Sequence, residues 1–243
     1  MDGQKIKIII SAVIAIAVTA VILFAISVAG DERVTDPEPT SVATTIPTTE
    51  TPSSEAGKNI VILVNYANML PDNWEVDLVE LRNGEQIDRI AYDSLQKMLD
   101  DARAEGYDPL ICSSYRSNEK QTRLFNNKVQ QYIDEGYSES EAKTEAGKWV
   151  AVPGTSEHQT GLTVDIVSVD NQNLDESQLD NPCQLWLMEH CYDYGFILRY
   201  PPDKSDITKI NFEPWHYRYV GMEAAQEMKE KGICLEEYAE FYK

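Results

Sequence analysis

The run Ser156-Glu157-His158-Gln159-Thr160-Gly161-Leu162-Thr163-Val164-Asp165 sets an imidazole and a carboxylate seven positions apart, with a glycine between them. Gly161 lets the backbone turn sharply from a loop into the strand beyond it. From Leu162 to Val167 the side chains alternate, with Leu162, Val164 and Ile166 on one face and Thr163, Asp165 and Val167 on the other. Asp165 emerges opposite Val164, where His158 can fold back beside it. A second cluster, Glu213-Pro214-Trp215-His216, begins 48 positions after Asp165. Glu213 and His216 are three apart, an odd offset that a straight strand would send to opposite faces. Pro214 breaks that regularity and lets both converge. Two imidazoles and one carboxylate (His158, His216 and Asp165) form the donor set of a zinc site with a fourth position open. Glu213 is then placed to act as a general base on water. The same residues also admit a plainer reading, with His158 a structural loop residue and Glu213 a surface carboxylate before a proline turn. Trp215 and Tyr217 read as packing residues. His190, beside Cys191 on a helix without a carboxylate pattern, reads as structural.

Elsewhere in the chain, Asn59 to Val64 is a continuous β-branched run that reads as a buried strand. Ala91, Leu95, Met98, Leu99 and Ala102 fall at helical spacing, with Gly106 as the stop. Pro109 to Ser113 reads as a short strand, followed by a helix that Ser117 caps. Ser138 and Glu141 have the spacing of a capping box. Asn181-Pro182 opens a helix that Gly195 is expected to close. Phe212 to Val220 is aromatic and strand-like, and a last helix runs from about Met222 to Gly232. Helices and strands do not alternate regularly, so the pattern predicts an α+β fold.

The chain has 243 residues, with 21 basic and 41 acidic side chains and a formal net charge of −20. That charge argues against nucleic acid as a partner and against adhesion to anionic lipid through a basic patch. The 22 residues from Ile8 to Ala29 carry no charge, enough for roughly 33 Å of helix at about 1.5 Å per residue. Lys5 and Lys7 precede this stretch, and Asp31 and Glu32 come after it. Residues 1–30 therefore read as one N-terminal transmembrane helix with the remainder outside, or as a cleaved signal; both readings export the rest of the chain. Residues 31–57 read as a linker, and thirteen of the 22 residues from Asp36 to Gly57 are Ser, Thr or Pro. Residues 58–243 form the folded domain, with 18 basic against 34 acidic residues. Its four cysteines, Cys112, Cys183, Cys191 and Cys234, permit three pairings. Cys183 and Cys191 are too far apart on one continuous helix to bridge, and Cys112 reads as a small hydrophobe in a buried strand.

The motifs S-x-H-x-x-G-x-x-x-D at Ser156–Asp165 and E-x-W-H at Glu213–His216 resemble those of VanY-type D-alanyl-D-alanine carboxypeptidases. These zinc peptidases share a fold with the Hedgehog signalling domain. The resemblance extends to Leu63-Val64-Asn65, Ser114-Tyr115-Arg116-Ser117 with Gln121, and Gly195 to Pro201. It implies a central, mostly antiparallel sheet flanked by helices. It also implies one zinc ion held by His158, Asp165 and His216, with Glu213 as base and proton shuttle. Arg116 falls on the family's arginine, which stabilises the oxyanion or grips the substrate carboxylate. Ser156 and Gln121 fall on substrate contacts. The function so implied is removal of the terminal D-alanine from peptidoglycan stem peptides; joined to the apolar N-terminal stretch, the reading is an exported, membrane-tethered enzyme, expected to be a monomer. The alternatives are an L,D-carboxypeptidase acting on tetrapeptide stems and a non-enzymatic, zinc-stabilised wall-binding module. Glu213 discriminates the last, because a purely structural site has no use for a base.

Overall fold

The computed structural model describes residues 59–242. The expected membrane segment 1–30 and linker 31–57 lie outside the described residues. Among the described residues no helix is long and apolar enough to cross a membrane.

Two short strands, β1 (Leu78–Glu80) and β2 (Gln86–Asp88), pair antiparallel. The hairpin leads into helix α1 (Arg89–Ala104), whose N-cap Asp88 accepts a hydrogen bond from the Ile90 amide. Its buried face is Ala91, Leu95, Met98, Leu99 and Ala102, as the spacing predicts. Strand β3 (Pro109–Ser113) comes next, then α2 (Asn118–Asp134), capped by Ser117, and α3 (Glu139–Ala146), started by the Ser138–Glu141 capping box. Strand β4 (Thr163–Ser168) is buried at all six positions. Beyond it come α4 (Pro182–His190), β5 (Phe196–Leu198), the single turn α5 (Ser205–Thr208) and β6 (His216–Tyr219). Helices α6 (Met222–Lys231) and α7 (Leu235–Phe241) close the chain.

The four-stranded sheet has the order β3-β4-β6-β5 with every neighbouring pair antiparallel, so the fold is α+β. Val164 and Ile166 of β4 pack with Leu95 and Met98 of α1 and Leu187 of α4 in one apolar cluster. Full burial of each such side chain contributes about 1.5–3 kcal/mol. This face anchors the sheet and leaves the opposite face of β4, with Asp165, to the site. A second cluster joins Ile197 and Val220 to Met228, Leu235 and Tyr238, seating both C-terminal helices.

Four expectations are corrected. Asn59 to Val64 forms no strand. It turns at its start, where the Ile62 amide donates to the Asn59 carbonyl. The carbonyls of Ile60 and Ile62 accept from the Arg218 guanidinium instead of from a ladder. The helix opened by Asn181-Pro182 does not reach Gly195. It ends at His190, and a tighter 3-10 turn (Cys191–Tyr194) carries the chain to Gly195. In the aromatic run Phe212–Val220 only the last part pairs, because the ladder starts after Pro214 removes a backbone donor. Cys112 is exposed, not buried, and all four thiols are free. Helix α7 has no counterpart among the expected elements.

Candidate active site

Asp165 on β4 and His216 on β6 stand directly opposite each other in the antiparallel register. That position brings side chains to within about 5 Å at their β-carbons without any loop adjustment. His158 arrives from the other direction. It lies in a 3-10 turn (Glu157–Thr160) that Gly161 ends in the left-handed conformation, φ 75°. A β-carbon at Gly161 would stand 3.2 Å from Cβ of Asp88 and 3.3 Å from Cγ1 of Val76. The position therefore needs glycine on two counts, backbone angle and space.

The three side chains converge. Nε2 of His158 lies 3.3 Å from Oδ2 of Asp165, and Nδ1 of His216 lies 3.1 Å from Oδ1. One donor atom from each falls within 4.8 Å of the others, and all three residues are buried. Nδ1 of His158 is 2.7 Å from the Ser114 carbonyl, so Nδ1 carries the proton and Nε2 presents its lone pair to the cluster. Oδ1 of Asp165 is buried and makes no hydrogen bond. An orphaned carboxylate oxygen between two imidazoles has the chemistry and reach of a zinc cage with one position left open.

Glu213 lies on the irregular segment before β6, its Oε2 3.4 Å from Nδ1 of His216. The turn through Pro214 and Trp215, closed by the His216 amide on the Glu213 carbonyl, sets both side chains on one side. Arg116 approaches from the loop after β3. Its Nη2 donates to Oδ2 of Asp165 at 2.9 Å and its Nε to Oγ of Ser113 at 3.0 Å. All of these groups line a cavity of about 460 Å³, within the usual size for a ligand site. Leu124, Trp149, Leu174 and Ile210 supply much of its apolar wall. Ser156 lies on the same wall and is buried. Gln121 does not lie on it. It is fully buried behind the guanidinium, donating to the Ala151 carbonyl at 2.7 Å with Oε1 3.5 Å from Nη1 of Arg116. His190 sits elsewhere, stacked on Trp186 and paired with Asp193.

The charges are strongly coupled. Burial opposes ionisation of Asp165, but the two imidazoles beside it hold its carboxyl well below the usual range. Burial would also lower His216, yet the carboxylates of Asp165 and Glu157 facing its two ring nitrogens carry it up to about 9. Burial, together with the Arg116 charge, pushes His158 down to about 4. Burial raises the Glu213 carboxyl to about 8, against the opposing pull of His216.

Sequence reasoning missed the layer beneath these groups. Glu157, Arg199 and Arg218 have no exposed side-chain surface and are joined by ion pairs. Glu236 completes the cluster through Arg199. Arg218, between Tyr217 and Tyr219 in an aromatic strand, was the available signal, since a charge in such a run demands a buried partner.

An antiparallel sheet delivers two imidazoles and an aspartate to a cavity, with a buried glutamate alongside, and this set of side chains fits the site of a metal-dependent peptidase. Residues 84–222 match the family model VanY, D-alanyl-D-alanine carboxypeptidase, and the chain belongs to that family. A D-alanyl-D-alanine carboxypeptidase of Enterococcus faecalis is 50% identical over 178 residues, a match covering 73% of this chain and 65% of that protein, just under two thirds of its length. The solved structure of VanYB in complex with D-alanine-D-alanine is similar at 47% identity and TM-score 0.70, covering 76% of this chain and 99% of that one. A mutant of the vancomycin resistance D,D-pentapeptidase VanY from a VanB-type cassette, in complex with Zn(II), is similar at 47% identity and TM-score 0.69. That match covers 75% of this chain and 99% of the other.

Proposed function

We infer that this chain is a zinc-dependent carboxypeptidase that removes the terminal D-alanine from peptidoglycan stem peptides. One observation carries the reading: a buried carboxylate, Glu213, stands free of the ligand set but against it, in the cavity wall. A cage that served only the fold would have no use for that group. Nε2 of His158, a carboxylate oxygen of Asp165 and Nδ1 of His216 would hold the ion. Zinc bound there supplies a Lewis acid for the scissile carbonyl and makes water a stronger acid.

The remaining work falls to the protein. Glu213 takes the proton from the attacking water and passes it to the leaving amine. Burial, by raising its carboxyl to about 8, keeps it close to the operating pH, where one group can both accept and return a proton. Arg116 offers guanidinium donors to the oxyanion that develops, or to the carboxylate at the end of the peptide. Gln121 acts through Arg116, as the amide that backs it. Ser156 presents a hydroxyl to the substrate. The apolar wall keeps bulk solvent away from the peptide bond and leaves the attacking water to Glu213.

The N-terminal segment exports the domain and tethers it at the membrane, and the enzyme works as a monomer beside its wall substrate. The test is product analysis on a stem pentapeptide ending in D-Ala-D-Ala, with and without a chelator. Zinc-dependent release of one D-alanine is expected, and Glu213→Ala should bind zinc yet release none. No release by the zinc-loaded protein, or full release by Glu213→Ala, refutes the reading. Release from a tetrapeptide and not from the pentapeptide reassigns the enzyme to L,D-cleavage.

A further inference from the structure

We propose that Glu157 is a positioning residue for the metal ligand His216, fixing its ring through the nitrogen that faces away from the metal. The side chain of Glu157 has no exposed surface. Its Oε1 accepts from Nε of Arg199 at 2.8 Å and from Nη1 of Arg218 at 2.9 Å. Its Oε2 makes no hydrogen bond and lies 3.7 Å from Nε2 of His216, which is also buried and unbonded. Two unsatisfied groups, one an obligate acceptor, therefore face each other across a gap slightly longer than a hydrogen bond. The other nitrogen of the same ring, Nδ1, is turned toward Asp165 and Glu213. An imidazole that gives its Nδ1 lone pair to a metal must carry its proton on Nε2, and Glu157 is the acceptor that proton meets.

The carboxylate is itself braced from behind. Arg199 reaches past it to hold Glu236 of α7 with two nitrogens, at 2.8 and 2.7 Å. Asn65 donates to the same Glu236 carboxylate at 3.1 Å. Arg218 is tied to the carbonyls of Ile60 and Ile62 at 3.0 Å each. Two guanidinium groups and two carboxylates are buried together with no formal excess charge. Such a network is a poor source of net stability, because desolvation offsets most of the attraction. Its geometric effect is to lock Oε1 and leave Oε2 aimed at one ring. Asn65, Ile60, Ile62 and Glu236 all lie outside the segment 84–222 that matches the family model. The brace comes from both flanks of the matched domain.

The proposal rests on His216 being a metal ligand, and the test separates the two ideas. Zinc affinity of the full chain is measured by competition with a chelator, in the wild type and in Glu157→Gln. The amide introduced by that substitution keeps an oxygen for the arginines but turns an NH₂ group toward the Nε2 proton, donor against donor. Zinc affinity should fall about 10–100-fold. Unchanged affinity in a folded Glu157→Gln protein overturns the positioning role alone, whereas a wild type that binds no zinc overturns the ligand assignment and the role with it. Nitrogen-15 spectra of the histidines give a readout that needs no variant. Zinc-loaded wild type should show a solvent-protected Nε2 proton on His216, and Glu236→Gln should speed its exchange. Absence of that proton in the wild type refutes the proposal even if neither variant folds.

Discussion

Zinc binding should weaken steeply with acid because of one residue. In the metal-free protein His216 holds a proton up to about pH 9. His158, at about 4, is already neutral in ordinary buffers, and Asp165 is ionised throughout. Zinc must therefore displace one ligand proton, and it must do so at every pH below about 9. Acid thus competes with the metal: each unit of acidification costs about tenfold in apparent affinity, so moving from about pH 8 to about pH 6 costs about a hundredfold, or about 3 kcal/mol. Glu213 would blur the slope, because its carboxyl at about 8 gives up a further proton when a cation arrives nearby. The measurement is therefore made on Glu213→Gln, by chelator competition across that pH range. A slope near one is expected. A flat line would mean His216 is neutral without metal and would refute the reasoning about its two carboxylate neighbours. A slope of two would mean that His158 is charged as well.

Three further outcomes are expected. Arg116→Lys, which loses the guanidinium fork, should lower kcat/KM about 10²–10³-fold with zinc affinity retained, as read by steady-state kinetics beside metal titration. Gly161→Ala forces an alanine into φ 75° against Asp88 and Val76; it should cost at least about 1–2 kcal/mol in denaturant unfolding and weaken zinc binding by displacing His158. Asn181→Ala removes the cap that accepts from the amides of Cys183 and Gln184. It should cost about 1 kcal/mol, a fall in Tm of about 2–4 °C, and leave D-alanine release unchanged.

The site's inner ring was legible because its residues are rare and locally patterned. Three histidines in the chain leave few ways to build a cage, and Gly161 and Pro214 mark where the backbone must bend. Helix α1 and the capping box of α3 were legible for a similar reason, since their signals lie within a few residues of one another. The β-branched run at Asn59–Val64 misled because its carbonyls are satisfied by Arg218, a side chain 156 and 158 positions away, which no local pattern announces. Gln121 misled differently. Its place behind Arg116 is a matter of depth, and spacing along a helix carries no information on depth. Glu157 was hidden in plain view, adjacent to His158, because its role depends on Arg199, Arg218 and Glu236, none of which is close to it in sequence.

The ion pair between Arg199 and Glu236, and the bond from Asn65 to the same carboxylate across 171 positions, have a bearing on how the molecule is made. A nascent chain emerges amino end first, and this bond cannot close until Glu236 has been synthesised, long after Asn65. A product cut short of Glu236 leaves Arg199 without one of its two carboxylate partners.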